Sequence, residues 1–175
     1  MPQLTADEVA RFLDEPGHLV RIGTVDGDGM PRVVPTWFLC RDDRILFTPR
    51  APAVFLGNLR RDPRIGLSVD EQALPYRKIT VQGRAEILHE PGEDDLWRDV
   101  YRAIALRYLR ADAADAYLDG TRDQPRALVA VDLASARFTT WRLPDRGEDL
   151  TGIWHHRYYA DGSALARRAG DRPAD

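Results

Sequence analysis

The sequence predicts an α+β domain in which mainly antiparallel strands curl toward a barrel, with helices flanking it at a few crossings. Three observations carry this expectation. Six strand-like segments recur at short spacing, separated by Gly, Pro and Asp turn signals. One of them alternates cleanly: Ile79, Val81, Ala85 and Ile87 interleave with Thr80, Gln82, Arg84 and Glu86, so one face meets a core and the other is polar. Apolar residues at helical spacing are confined to short stretches between strands.

In chain order, Thr5-Ala6-Asp7-Glu8 reads as a capping box, in which the Thr5 hydroxyl accepts from the amide three residues on and Glu8 reaches back. Val9, Phe12 and Leu13 continue one apolar face, so residues 6–14 are expected as a short helix ended by Pro16-Gly17. Strand one is expected over 19–26 and strand two over 31–40. The turn Asp26-Gly27-Asp28-Gly29 joins them, because Gly and Asp tolerate positive φ. After a second turn at Arg41-Asp42-Asp43 come strand three, 44–48, and a helix over 53–61. Pro63 ends that helix by biasing Asp62 away from the α region. Strand four covers 64–69, and strand five is the alternating one, broken at Pro91-Gly92. Helices are expected over 93–109, with acids at its start suiting the dipole, and over 113–118. Strand six, 126–141, bends near Ser135. Beyond Pro144 the chain turns polar and Gly-rich, with an aromatic patch at 154–159 and a frayed end after Gly162.

The 175 residues are one domain's worth of chain, with 43% hydrophobic and 30% charged residues. A net charge of −3 argues against a general nucleic-acid binder. The single cysteine, Cys40, excludes an internal disulfide and lies in an apolar strand, where it reads as a small buried hydrophobe. No apolar run reaches membrane-spanning length and the N-terminus lacks a signal peptide's pattern, so no membrane association and a cytoplasmic location are expected. The chain has no GxGxxG, no P-loop and no legible catalytic triad, and its four histidines lack metal-type spacing. A site in which a bound cofactor carries the chemistry is the better expectation.

The residues Gly29-x-Pro31-Arg32-Val33-Val34-Pro35-x-Trp37-Phe38, then Phe47-Thr48, then Asn58-Leu59-Arg60-Arg61-Asp62-Pro63-Arg64, then Val81-x-Gly83-x-Ala85 bear a family likeness. In type and order they resemble the pyridoxamine 5'-phosphate oxidase superfamily of flavin- and deazaflavin-binding split-barrel proteins. The resemblance spans roughly residues 5 to 143 and is most specific in the Asn58–Arg64 run. It implies a six-stranded split β-barrel with flanking helices over residues 1–143, followed by a partly ordered extension over 144–175. It also implies a homodimer with FMN, or alternatively the deazaflavin coenzyme F420, in a groove between subunits, and an oxidoreductase passing a hydride to a small organic substrate.

Carried over position by position, the resemblance assigns Arg32, Val33, Val34 and Pro35 to the strand that approaches the ring and phosphate. Phe47, Thr48, Pro49 and Arg50 fall at a strand end that meets the phosphate, and Asn58 at the helix beyond it. Lys78, the only lysine in the chain, falls where a ring-contacting glutamine is expected, with Gln82 further along the same strand, and Trp141 approaches the same groove. One position departs. Where the deazaflavin users carry a lysine three residues before the asparagine, this chain has Phe55, so phosphate binding would rest on Arg32, Arg50 and backbone. Phe55 is then expected to pack on a ring system or fill the pocket. From the residues alone, Arg32 and Arg50 read equally as solvated strand-end cations, Thr48 as a cap and Lys78 as a snorkelling surface lysine. Two other readings stay open: a non-catalytic flavin or small-ligand binding protein, and a tetrapyrrole binder using His155 and His156.

Overall fold

The computed structural model describes residues 3–74, 76–144, 147–148, 160–164 and 166–167. The tail histidines His155 and His156, the 154–159 patch and most of the frayed end lie outside them. Helix α1, Ala6–Asp14, opens on the expected capping box: the Glu8 amide donates to Thr5 Oγ1 at 3.3 Å, and Glu8 Oε2 accepts from the Thr5 amide at 2.7 Å. Strands β1 (Val20–Val25) and β2 (Pro31–Thr36) form a hairpin closed by Gly29 at φ 89°. Strands β3 (Leu39–Arg41) and β4 (Arg44–Phe47) form a tighter one, in which Asp42 and Asp43 both take positive φ, 51° and 56°.

Helix α2, Val54–Arg61, stops where Asp62 becomes extended (φ −142°, ψ 106°) ahead of Pro63. Strands β5 (Arg64–Asp70) and β6 (Arg77–His89) follow, then a 3₁₀ turn at Asp94–Trp97. Helices α3 (Arg98–Leu106) and α4 (Ala111–Gly120) and strands β7 (Leu128–Asp132) and β8 (Arg137–Arg142) complete the described order.

The sheet runs β2-β1-β5-β6-β7-β4-β3, with β8 pairing β6 from outside this path. Every pairing is antiparallel. This curled sheet with flanking helices is the split barrel expected from the sequence. It has eight strands where six were expected, because two long segments each break once. Between β2 and β3, Trp37 stacks on Tyr108 (centroids 4.9 Å, planes 6° apart), and the buried Phe38 amide donates to the Tyr108 hydroxyl. These anchors carry the chain from β1 over to β4. Between β7 and β8, Asp132 Oδ1 accepts from the Ala134 amide and its carbonyl from Ser135 Oγ, the turn that Ser135 signals. The expected 93–109 helix likewise divides at Trp97 into a 3₁₀ turn and α3.

The main core lies inside the curl, built on Phe12, Ile22, Phe38, Phe47, Leu56 and Ile79, all within 1% exposure. A second cluster, with Trp97, Tyr101, Leu118 and Leu128, seats α3 and α4 against β4 and β7. Arg77 fastens α1 to β6 by donating to both Glu15 and Glu71 while lying over the Phe12 ring at 4.6 Å. Hydrogen bonds from Arg77 hold both carboxylates below their usual range.

Candidate functional site

Alternation along the strands gives the sheet two faces. Ile22, Thr24, Ile65, Leu67, Ile79 and Val81 turn into the core, so their neighbours turn outward. Directly paired residues of antiparallel strands share a face, and the register therefore aligns outward residues in rows across five strands. One row reads Val33, Gly23, Gly66, Gln82, Arg137 from β2 to β8. The next reads Pro35, Arg21, Ser68, Thr80, Thr139, and the last pairs Asp70, Lys78 and Trp141. Thr80 and Thr139 share a 2.7 Å hydrogen bond, and Lys78 Nζ lies over the Trp141 ring at 4.9 Å.

Five of the sequence-predicted residues, Val33, Pro35, Lys78, Gln82 and Trp141, are thus brought to one outward face. Its middle is a trough. A Cβ on Gly23 would meet the Gly66 carbonyl oxygen at 3.4 Å, so two glycines side by side leave a bare backbone floor. The wider end encloses about 980 Å³ between Pro31, Arg32, Arg64, Gln82, Arg84 and Arg137, and a narrower part of about 460 Å³ continues past Val33 and Thr80. Arg64 is bound to Asp62, whose carboxyl this pairing holds at about 2. Val33 is 67% exposed, an apolar side chain standing on open sheet.

Arg32 reaches the wide end but is engaged. Its guanidinium donates to both Asp26 oxygens at 2.6–3.1 Å, and the Asn58 amide donates to Asp26 Oδ1 at 2.6 Å and to Thr24 Oγ1 at 3.1 Å. The bonds from Arg32 first, then from Asn58, hold the Asp26 carboxyl down at about 2. Asn58 is 3% exposed, so its side chain ties α2 to the β1–β2 turn. Val34 turns toward the core, and Phe47 and Phe55 lie within it at 0% and 8% exposure with ring centroids 6.5 Å apart. Phe55 is thus a core residue, its ring beside that of Phe47.

Thr48, Pro49 and Arg50 belong to a separate corner. Thr48 and Pro49 are buried and Arg50 is exposed, bridging antiparallel to Arg126 just before β7. The Thr48 carbonyl accepts from Arg126 Nη1 at 3.1 Å, and the Tyr117 hydroxyl accepts from Nη2 at 3.0 Å. Burial pushes Tyr117 up, but Tyr101, Arg126 and Arg50 together pull its pKa below the ordinary value. Burial raises Tyr101 to about 12.

Sequence reasoning passed over Gly23, Gly66 and Arg126. A signal for the glycines was present: Arg21-Ile22-Gly23 and Arg64-Ile65-Gly66 repeat one tripeptide inside two strands, where glycine marks close approach. Elsewhere, Glu15, His18 and Glu71 bring ligand-type atoms within 4.8 Å of one another, but Arg77 already binds both carboxylates. A groove of about 820 Å³ opens between α1 and the β3–β4 turn and holds none of the predicted residues. Cys40 lines it, its thiol pushed up to about 11 by burial.

Solved structures resemble this fold. A conserved hypothetical protein, Rv2991, from Mycobacterium tuberculosis matches with a TM-score of 0.66 and 23% identity over 83% of this chain and 92% of its own. A FAD-binding protein from Mesorhizobium loti matches with a TM-score of 0.60 and 21% identity, covering 82% and 98%. A protein described as F420 reductase matches with a TM-score of 0.53 and 26% identity, covering 72% and 92%. No curated protein sequence matches the chain significantly. The family model described as pyridoxamine 5'-phosphate oxidase matches residues 5–140, nearly the whole split barrel, and the chain belongs to that family.

Proposed function

We propose that this protein is a homodimeric oxidoreductase that holds a phosphorylated flavin-type cofactor, FMN or the deazaflavin F420, between the outward sheet faces of two copies. The observation that carries this reading is the glycine-floored trough. A flat tricyclic ring needs a surface without side chains, and Gly23 beside Gly66 supplies one flanked by Val33 and Gln82. The relatives that bind FAD or are described as F420 reductase support the ligand class. Exposed Val33 and Val25, 67% and 50%, supply apolar surface for a second copy.

When bound, the cofactor's ring supplies the hydride chemistry. The chain's own residues do the rest. Gln82 offers an amide able to donate or accept at the ring edge, and the bare floor fixes the ring plane. Lys78, held over Trp141, brings positive charge to the far end of the face. The trough itself has no histidine or cysteine among its lining residues, so positioning and charge are its means.

The test is a titration of the purified protein with FMN and with F420, read by quenching of cofactor fluorescence and by mass in solution. A dimer that quenches one of them at micromolar concentration supports the reading; a monomer that quenches neither overturns it. A dimer that binds but passes no hydride to any acceptor would select the non-catalytic binding protein instead.

A further inference from the structure

The wide end of the trough is electropositive on a chain whose net charge is −3. Four arginines line it, Arg32, Arg64, Arg84 and Arg137, against one acid, Asp62. Two of the four are engaged: Arg32 with both oxygens of Asp26, and Arg64 with both oxygens of Asp62. Arg84 and Arg137 are exposed, and among the described residues neither holds a hydrogen bond or an ion pair. Arg84 bears on Asp62 only as a nearby charge, behind Arg64.

Backbone geometry puts these two arginines together. Gln82 pairs directly with Arg137, so Arg84 stands diagonally across from it on the same face, about 7–8 Å away. Gly83 makes the approach possible. A Cβ there would meet the Ala136 Cβ at 3.1 Å and Val131 Cγ1 at 3.3 Å, so the turn that carries Arg137 settles against β6 only over a glycine. Like charges this close repel unless an anion lies between them, and a concave wall raises the local potential.

The counter-charge does not come from the sheet. The acids described on this face, Asp62 and Asp70, are bound to Arg64 and Arg21. Two copies stacked by this face would double the unengaged cations and add no free carboxylate from it. Gly23, Gly66, Gln82 and Arg137 line the wide end and the narrow part alike, so this charge lies beside the bare floor where a ring would rest.

We propose that Arg84 and Arg137 form a subsite for the hydride acceptor, and that the acceptor is a small dicarboxylate with one carboxylate for each guanidinium fork. That the bound anion is an acceptor rests on the cofactor reading above. Binding of a dicarboxylate at these two arginines does not.

The experiment uses succinate as its probe and succinamide as the uncharged match, in calorimetric titrations at fixed ionic strength. Wild type, Arg84→Gln, Arg137→Gln and a distant control, Arg110→Gln, are compared; all three positions are exposed, so the fold is kept. The expected result is succinate bound by wild type and control, succinamide by neither, and affinity at least ~10-fold weaker in each trough variant. Succinate bound no better than succinamide, or equally by all four proteins, overturns the subsite. Parallel titrations with FMN and F420 keep the two readings apart. Succinate binding lost in the variants, with no cofactor bound by the wild type, keeps the subsite and removes the cofactor reading. A cofactor bound by the wild type without any succinate binding does the reverse. Succinate that displaces the cofactor assigns the arginines to the cofactor itself and overturns the acceptor subsite.

Discussion

Two polar corners of this molecule use arginine in opposite ways. At the β1–β2 turn, Arg32, Asp26, Asn58 and Thr24 satisfy one another, and Arg61 closes the group by donating to the Val25 carbonyl and to Asn58 Oδ1. At the end of β4, Arg126 and Arg50 oppose each other, and among the described residues no carboxylate is bound to either. The first corner resembles a ligand site in sequence and is consumed by the fold. The second carries unspent donors. Recognisable residues are thus a poor guide to which groups remain free, since holding a helix against a turn takes the same chemistry as holding a ligand.

The sharpest way to break this comparison is Asn58→Ala. It strands the buried Thr24 hydroxyl and removes one donor from Asp26, so a loss of about 2–3 kcal/mol in denaturant unfolding is expected. A loss under about 0.5 kcal/mol would mean that the corner does not hold the fold. Gly66→Val comes next and separates the trough from both corners. A Cβ there meets nothing closer than the Val81 carbonyl at 4.0 Å, so stability should hold within about 1 kcal/mol. Flavin affinity should meanwhile fall at least ~10-fold as the floor fills. Equal affinity by fluorescence titration would move the ring elsewhere.

The smallest expected effect is on acid stability. The Asp26 carboxyl sits at about 2 in the folded chain against an ordinary 3.8. Below the ordinary value the unfolded chain binds a proton that the folded chain resists. The stabilisation is therefore complete above about pH 4 and lost as pH falls toward 2. Asp26→Asn should flatten the stability profile across that window, and an unchanged slope from urea melts at pH 2 to 5 would refute the pairing.

Much of the fold was legible because its signals are local. The capping box at Thr5–Glu8, the Asp62-Pro63 stop and the alternation around Ile79–Ile87 each depend on a few adjacent residues. The break at Trp37 was not legible, since what ends that strand is a distant Tyr108; the one after Asp132 was legible as a bend near Ser135 but not as a change of pairing partner. The candidate site divided in the same way. Val33, Pro35, Lys78, Gln82 and Trp141 were named individually, but their common face depends on register across five strands. Arg126 was invisible because its lack of a carboxylate partner among the described residues is a property of its surroundings, which no spacing encodes.

Strand β6 has a consequence beyond its residues. Its thirteen residues pair with β5 and β8 along one half and with β7 along the other. A single backbone thus threads both wings of the barrel, and neither wing can come loose without disturbing the ladder of its neighbour. Amide hydrogens in the middle of this strand should exchange with deuterium only through whole-molecule opening, making it the slowest clock in the protein.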